Sequence, residues 1–137
     1  MRAVVLREFG PPEVLRVEQV PDPVAGPGQV IVGVEAAGVT FVETQIRAGR
    51  APNPALAPPL PAILGNGVAG SVAGRRVITT TGGSGGYAER VAVPAEGLID
   101  LPDGVGTEEA LALLADGRTA MSLSGVTLEV DGGQVLV

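Results

Sequence analysis

The side chains best suited to chemistry in this sequence lie close together, at Thr40, Phe41, Glu43 and Gln45. Residues 29–36 alternate and are rich in β-branched side chains, which predicts a strand, and residues 41–46 have the amphipathic pattern of a short helix. The strand therefore delivers these four side chains to a loop and a helix start, where polar groups can contact a ligand. We place the candidate functional site at this turn from strand to helix.

The sequence contains neither cysteine nor histidine. No thiolate or imidazole is therefore available to bind zinc, and neither Ser-His-Asp nor Cys-His catalysis can be assembled from this chain alone. Carboxylates remain as metal ligands, and they suit harder ions. We predict that zinc plays no part in the function of this protein.

Length, charge and hydropathy limit the class of partner. At 137 residues the chain is long enough for one domain with a buried core. The formal net charge is -6 and the basic residues are scattered, which disfavours nucleic acid and anionic membrane as partners. No apolar run approaches the roughly 18 residues of a membrane span, and the apolar run at the N-terminus is too short for a signal peptide. We expect a cytoplasmic protein with no nucleic-acid or membrane partner.

Short strands on both sides of the candidate helix must position the site. The alternating apolar pattern predicts strands at residues 3–6, 15–20, 29–36, 76–81, 87–93 and 98–101. The first two should pair antiparallel, and the fourth and fifth should form a hairpin around a Gly/Ser turn. Thr107 is the predicted N-cap of a later helix, which breaks at residues 116–119 before it resumes. This strand spacing is typical of an all-β barrel or sandwich.

Residues 65–70 read GNGVAG and match the G-x-G-x-x-G pattern of dinucleotide-binding loops. That pattern binds a pyrophosphate only where a strand precedes it and a helix follows. Here a Pro-rich segment, residues 50–61, lies upstream and a β-like segment lies downstream, so we interpret these glycines as turn and packing residues. The Pro-rich segment is predicted to be an extended surface loop, either a passive connector or the rim of a substrate cleft.

Several motifs resemble, in the same order, those of the zinc-independent quinone oxidoreductase branch of the medium-chain dehydrogenase/reductase family. Residues 36–49, AAGVTFVETQIRAG, are similar to its AAGVNFxDxxxRxG signature; residues 85–94, GGYAERVAVP, resemble GxYAExxxVP; and residues 132–137, GGQVLV, resemble GxxVLV. The resemblance implies a mainly β fold, the GroES-like catalytic domain, which is a partly open β-barrel with a few short helices. It assigns residues 1–123 to this domain and residues 124–137 to a linker and the first strand of a dinucleotide-binding domain that is otherwise missing from the chain.

The resemblance also implies a function, namely hydride transfer from NADPH to a small quinone or enone. NADPH would be bound mainly by the missing domain, which leaves this chain alone inactive, and the complete enzyme would be a candidate homodimer. The family pattern implies the catalytic residues Thr40, Glu43 and Gln45, the cofactor-binding residues Thr40, Phe41, Gly117 and Thr119, and no metal ligand. Within this set Glu43 either orders the start of the helix or relays a proton.

Two departures from the family pattern bear on the site. Thr40 stands where many members have Asn, so a hydroxyl replaces an amide near the nicotinamide ribose, with fewer options for hydrogen bonding. Between Gly70 and Arg75 the chain is also shorter than in the family.

The alternative interpretation is a free-standing GroES-like module that binds a partner or has a structural role, without catalysis.

Overall fold

The computed structural model of this protein describes residues 1–117, residue 120, residues 127–130 and residues 133–136. Its strands are, in chain order, β1 (Arg2–Leu6), β2 (Leu15–Gln19), β3 (Gln29–Ala37), β4 (Ala62–Ile63), β5 (Gly67–Val72), β6 (Arg75–Thr80), β7 (Arg90–Pro94), β8 (Ile99–Asp100), β9 (Thr127–Val130) and β10 (Gly133–Leu136). The α-helices are α1 (Phe41–Arg47) and α2 (Thr107–Ala112). A π-helical segment, Leu113–Gly117, continues α2 directly.

The described strands form three antiparallel sheets. One has the order β2-β1-β4, the second has the order β7-β3-β5-β6-β8, and β9 pairs with β10 in the third. The register of β1 on β2 runs from Arg2 opposite Gln19 to Leu6 opposite Leu15, which confirms the predicted antiparallel start. A single bridge between Ala3 and Ala88 links the first sheet to the segment that leads into β7. The fold is therefore mainly β, as expected.

The largest sheet owes its core to small branched side chains. In β7, Val91 and Val93 alternate with more exposed residues, so both point to the buried face. They join a buried cluster that consists of Val32, Val68, Val77, Val91 and Val93. A second cluster, of Leu6, Ile46 and Leu64, packs α1 against the three-stranded sheet. The candidate helix is thus anchored by Ile46, while Phe41 and Val42 of its first turn are exposed.

The predicted hairpin between residues 76–81 and 87–93 is wrong. In the described sheets β6 pairs with β5 and β8, whereas β7 pairs with β3. The intervening Gly/Ser segment is held elsewhere, because Gly85 N–H donates to the Ile63 carbonyl (2.7 Å) and Gly86 N–H donates to the Gly65 carbonyl (3.0 Å). These bonds lead the chain away from β6, and the next strand, β7, pairs with β3. Val91 and Val93 of β7 are buried there beside Val32.

The start of α2 also differs from the prediction. Gly106 is the N-cap, and Thr107 is the first residue of the helix. The Glu109 carboxylate accepts a hydrogen bond of 2.6 Å from Gly106 N–H. Because this carboxylate satisfies a backbone donor at the helix start, the hydroxyl of Thr107 is not needed there. The predicted break lies partly in the π-helical segment and partly at residues 118 and 119, outside the described residues.

The glycines of GNGVAG have the packing role that the sequence predicts. Gly67 to Gly70 lie in β5, and no helix follows them, because the next element is β6. A Cβ added to Gly70 would lie inside van der Waals distance of the Gly33 carbonyl oxygen and 3.1 Å from Val34 Cα. The absence of a side chain at Gly70 therefore lets β5 approach β3 closely.

The C-terminal strands form a unit of two. β9 pairs with β10 from Val130 opposite Gly133 to Thr127 opposite Leu136. The expected domain boundary, between residues 123 and 124, lies outside the described residues. The assignment of residues 124–137 to a linker and the first strand of a dinucleotide-binding domain stays a prediction.

Candidate functional site

Helix α1 begins directly after Thr40, which has the extended backbone of an N-cap residue. Glu43 is the third residue of the helix, and its Oε2 accepts a hydrogen bond of 2.7 Å from Thr40 N–H. A carboxylate in the first turn also interacts favourably with the positive end of the helix dipole. The first helical side chain, Phe41, is 76% exposed. The local sequence thus produces a helix start that presents Thr40 and Phe41 at the surface.

Glu43 is almost completely buried, with 5% of its surface exposed. Besides Thr40 N–H, its carboxylate accepts hydrogen bonds from Asn66 N–H (2.7 Å) and from the Tyr87 hydroxyl (3.0 Å). Three protein donors therefore satisfy the two oxygens, as a buried carboxylate requires. This environment supports an ordering role for Glu43, and both oxygens are already occupied by protein donors.

A cleft of about 700 Å³ lies between the start of α1 and helix α2, and we call it the α2 cleft. One wall is formed by residues 36–41, which join β3 to α1. The other wall is formed by Glu108, Leu111 and Ala112 of α2. The α2 cleft therefore opens at the point where the sequence predicts the candidate site.

A second cleft, of about 650 Å³, also borders the start of α1, and we call it the proline cleft. Its walls are residues 40–43 and Ile46 of the α1 region, residues 55–59 of the Pro-rich segment, Asn66, and residues 82–84. Of the two interpretations of the Pro-rich segment, the rim of a cleft agrees with this arrangement. A one-turn 3-10 helix, Pro54–Leu56, stiffens the rim, and the Asn53 side chain accepts a hydrogen bond from Ala55 N–H (2.9 Å).

Thr40 and Phe41 line both clefts. They form a shared wall that a ligand in either cleft could contact. The proline cleft is mainly apolar in its lining, with Val42, Leu56 and the prolines exposed to it, and Glu43 is its single charged lining residue. The arrangement suits an uncharged, largely apolar ligand in the proline cleft.

The other predicted site residues stand as follows. Gln45 lines neither of these two clefts, and its side-chain amide lies 3.4 Å from the Thr44 hydroxyl. Gly117 closes the π-helical segment and is partly exposed, but it also lines neither cleft. Thr119 lies outside the described residues. The structure therefore brings Thr40, Phe41 and Glu43 together at the clefts, whereas Gln45 and Gly117 line neither of them.

Sequence reasoning did not assign Tyr87 to the site. Its hydroxyl lies 3.0 Å from Glu43 Oε2 and 3.3 Å from the Gly38 carbonyl oxygen. Burial, and then the negative charge and hydrogen bond of Glu43, raise the pKa of the Tyr87 hydroxyl above its usual range. The contact joins residues 44 positions apart, so no local pattern could reveal it. The available signal was that Tyr87 is the only tyrosine in the chain.

Two further features, a membrane-spanning helix and a metal-binding cluster, concern the residues that the structure describes. No helix among them is long and apolar enough to cross a membrane. No group of three or more histidine, cysteine, aspartate or glutamate side chains among them is arranged to hold a metal ion.

Comparison with known proteins defines the family. The model of the alcohol dehydrogenase GroES-like domain matches residues 26–103, which is more than half of the chain. The chain belongs to this family. The mainly β fold implied by the resemblance is confirmed as the GroES-like fold.

Relatives from three organisms illustrate the likeness. A quinone oxidoreductase of Pseudomonas aeruginosa is 35% identical over 94% of this chain and 42% of its own length. The quinone oxidoreductase of Thermus thermophilus, whose structure was also solved in complex with NADPH, is 38% identical with a TM-score of 0.81, over 90% of this chain and 39% of its own. The human synaptic vesicle membrane protein VAT-1 homolog-like protein is 30% identical with a TM-score of 0.80, over 88% of this chain and 41% of its own. The chain thus spans about two fifths of the length of these relatives.

Proposed function

We propose that this chain is the catalytic-domain portion of an NADPH-dependent oxidoreductase that reduces a small quinone or enone. The observation that carries the proposal is the shared wall of Thr40 and Phe41, which lines both clefts. Hydride transfer requires a cofactor and an acceptor to meet at close range in a fixed orientation. Two clefts that meet at one rigid helix start provide such a meeting point.

The α2 cleft is the proposed place for the nicotinamide end of the cofactor. Its residues fit that end, because the cleft is open, Thr40 contributes a hydroxyl, and Phe41 contributes an exposed ring. The same lining does not fit the phosphates of the cofactor, because its charged residue, Glu108, is negative and would repel them. In this proposal the pyrophosphate and adenosine are bound mainly by a dinucleotide-binding domain outside these 137 residues, and Gly117 and Thr119 are kept as the cofactor-binding residues that the resemblance implies.

The proline cleft is the proposed place for the acceptor. Its apolar walls favour a neutral, unsaturated carbonyl compound, because burial of an unpaired charge there would be costly. The bound cofactor supplies the hydride, and the chain supplies orientation and exclusion of water. Thr40 is the proposed hydrogen-bonding group for the reacting partners, Phe41 and Val42 pack against the acceptor, and Glu43 holds the helix start in place. Gln45 stays a proposed orienting residue on the same helix, although it lines neither cleft.

Three further properties belong to the same proposal. Zinc is not required, the enzyme works in the cytoplasm, and the complete enzyme is a homodimer. The isolated chain, in contrast, is inactive, because the contacts that bind most of NADPH lie elsewhere.

A chimaera tests the proposal directly. Residues 1–137 would replace the matching part of the Pseudomonas aeruginosa quinone oxidoreductase, and NADPH oxidation would be followed with neutral and carboxylated quinones of similar reduction potential. We expect turnover of the neutral quinones and a much higher KM for the carboxylated ones. A folded chimaera that binds NADPH but reduces no quinone or enone would overturn the proposal. With the chain alone, titration of NADPH by nicotinamide fluorescence should show no saturation at micromolar concentrations, and such saturation would contradict the assignment of cofactor binding to a second domain.

A second candidate is the GroES-like module without catalysis. It is favoured by one observation, that the VAT-1 homolog-like relative has the same fold and a name that specifies no enzyme activity. Fold alone does not determine function. The chimaera separates the two candidates, because a non-catalytic module would not support quinone reduction.

A further inference from the structure

The segment from Gly38 to Glu43 is fixed at both of its ends. Gly38 N–H donates to the Gly67 carbonyl (2.9 Å), and the Gly38 carbonyl oxygen lies 3.3 Å from the Tyr87 hydroxyl. At the other end Glu43 accepts from Thr40 N–H and from Asn66 N–H, each at 2.7 Å. The two residues that line both clefts, Thr40 and Phe41, therefore lie in the middle of a clamped segment.

The backbone of Tyr87 is itself held by β1 and by the residue that directly follows β4. Its N–H donates to the Leu64 carbonyl (2.9 Å), and its carbonyl accepts from Val4 N–H of β1 (2.8 Å). Its ring lies directly over Gly65, where an added Cβ would come within 2.6 Å of Tyr87 Cδ1, and Gly65 has a φ of +101°. The ring therefore packs against Gly65, which blocks movement of the ring in that direction.

We propose that Tyr87 is a positioning residue of the site, and that it acts through Glu43 to hold Thr40 and Phe41 at the wall between the α2 cleft and the proline cleft. The hydroxyl donates its one proton to Glu43 Oε2 (3.0 Å) in the first turn of α1, and the Gly38 carbonyl oxygen, directly after β3, lies slightly farther from it (3.3 Å). The role in turnover rests on the proposed function, whereas the positioning of the segment does not.

The chemistry of the network supports positioning in addition to stability. A buried carboxylate is costly, and apolar side chains of similar volume stabilise a core at least as well. A carboxylate with three donors from separate segments gives directional bonds that fix one arrangement of the helix start. Apolar packing by Ile46 anchors α1 but sets no such direction.

The first experiment compares three variants in the active chimaera. Tyr87→Phe removes the hydroxyl, and Glu43→Gln replaces an acceptor-only carboxylate with an amide. Thr79→Val is the matched control, because it removes another buried hydroxyl, which donates to the Gly97 carbonyl at 2.8 Å and lines neither cleft. We expect kcat to fall about tenfold in Tyr87→Phe with less than about a threefold change in the quinone KM, and to stay unchanged in Thr79→Val.

The double variant, Tyr87→Phe with Glu43→Gln, shows whether Tyr87 acts on the site through Glu43 or independently of it. If Tyr87 acts through Glu43, adding Tyr87→Phe to Glu43→Gln should lower kcat no further. Unchanged kcat in Tyr87→Phe, an equal loss in Thr79→Val, or additive losses in the double variant would each overturn the proposal.

A second measurement does not depend on activity. Amide hydrogen exchange in the 137-residue chain should be faster at Thr40 and Asn66 in Tyr87→Phe, and unchanged there in Thr79→Val. If the parent chimaera reduces no quinone, the proposed function fails, but faster exchange confined to this segment would still support the positioning role. Exchange at Thr40 and Asn66 equal to that of the parent chain would refute it.

Discussion

Gly70→Ala should strongly destabilise this protein, although it adds a single methyl group. The new Cβ would overlap the Gly33 carbonyl oxygen and would lie 2.9 Å from the Gly33 carbonyl carbon and 3.1 Å from Val34 Cα. These obstacles are backbone atoms of β3, so no change of side-chain rotamer can relieve the overlap. The strands β3 and β5 must move apart, and their pairing is at the centre of the five-stranded sheet.

The size of the effect follows from two terms. Overpacking of a well-packed site typically costs about 1–3 kcal/mol. Weakening even one pair of ladder hydrogen bonds adds about 1 kcal/mol for each bond. We therefore expect a loss of about 3 kcal/mol or more, a large part of the roughly 5–15 kcal/mol that stabilises a typical domain. For a domain of this size that corresponds to a fall in Tm on the order of 10 °C.

Urea and thermal unfolding followed by circular dichroism would measure the loss. Gly33→Ala is the matched control, because it lies in the facing strand and its Cβ would meet Ser71 only at 3.7 Å, an ordinary contact. We expect this control to change stability by less than about 0.5 kcal/mol. If the two variants differed by less than about 1 kcal/mol, the interpretation of Gly70 as a close-packing residue would be refuted.

Three further outcomes follow from the site. Thr40→Val should lower turnover or cofactor affinity in the chimaera far more than it lowers Tm, since it removes one polar group at nearly constant volume; unchanged kinetics would exclude Thr40 from the site. Tyr87 is the only tyrosine, and the midpoint of its tyrosinate absorbance should lie well above about pH 10, where unperturbed tyrosine ionises. Glu43→Gln should lower this midpoint, because it removes the neighbouring negative charge. Because the pKa of Tyr87 is raised in the folded state, its contribution to stability is fully present below about pH 10 and is lost as the pH rises through the folded pKa. A titration midpoint near pH 10 in the native protein would contradict the raised pKa. Metal analysis should find no stoichiometric zinc, and tightly held zinc would refute the prediction.

The strands and the candidate helix could be predicted because their signals are local. Alternation of β-branched residues located β1, β3 and β7 to within a few residues, and the amphipathic run located α1. The partner of β7 could not be predicted in this way. The Gly/Ser segment before it satisfies the pattern of a hairpin turn, but that pattern does not contain the hydrogen bonds that Gly85 and Gly86 make to residues before β5. The burial of Val91 and Val93 against Val32 then decides the pairing.

The site shows the same division between local and distant information. Thr40, Phe41 and Glu43 are neighbours along the chain, and the sequence placed them together at the helix start. Tyr87 and Asn66 reach Glu43 from 44 and 23 positions away, so they appear only when the sheets are assembled. Gln45 was grouped with Thr40 because it is close in sequence, but it lines neither cleft.

The burial of Glu43 bears on how the proposed reaction would obtain its proton. A proton relay needs a group that can exchange a proton with the substrate and then with water. Glu43 is 5% exposed, and its two oxygens accept from Thr40 N–H, Asn66 N–H and the Tyr87 hydroxyl. A relay through it would require the region around this buried carboxylate to open to substrate and then to water during each turnover, which would loosen the helix start that the reaction needs in place. We therefore expect Glu43 to keep the site in order, and the proton that completes reduction of the acceptor to come from water at the open mouth of the proline cleft.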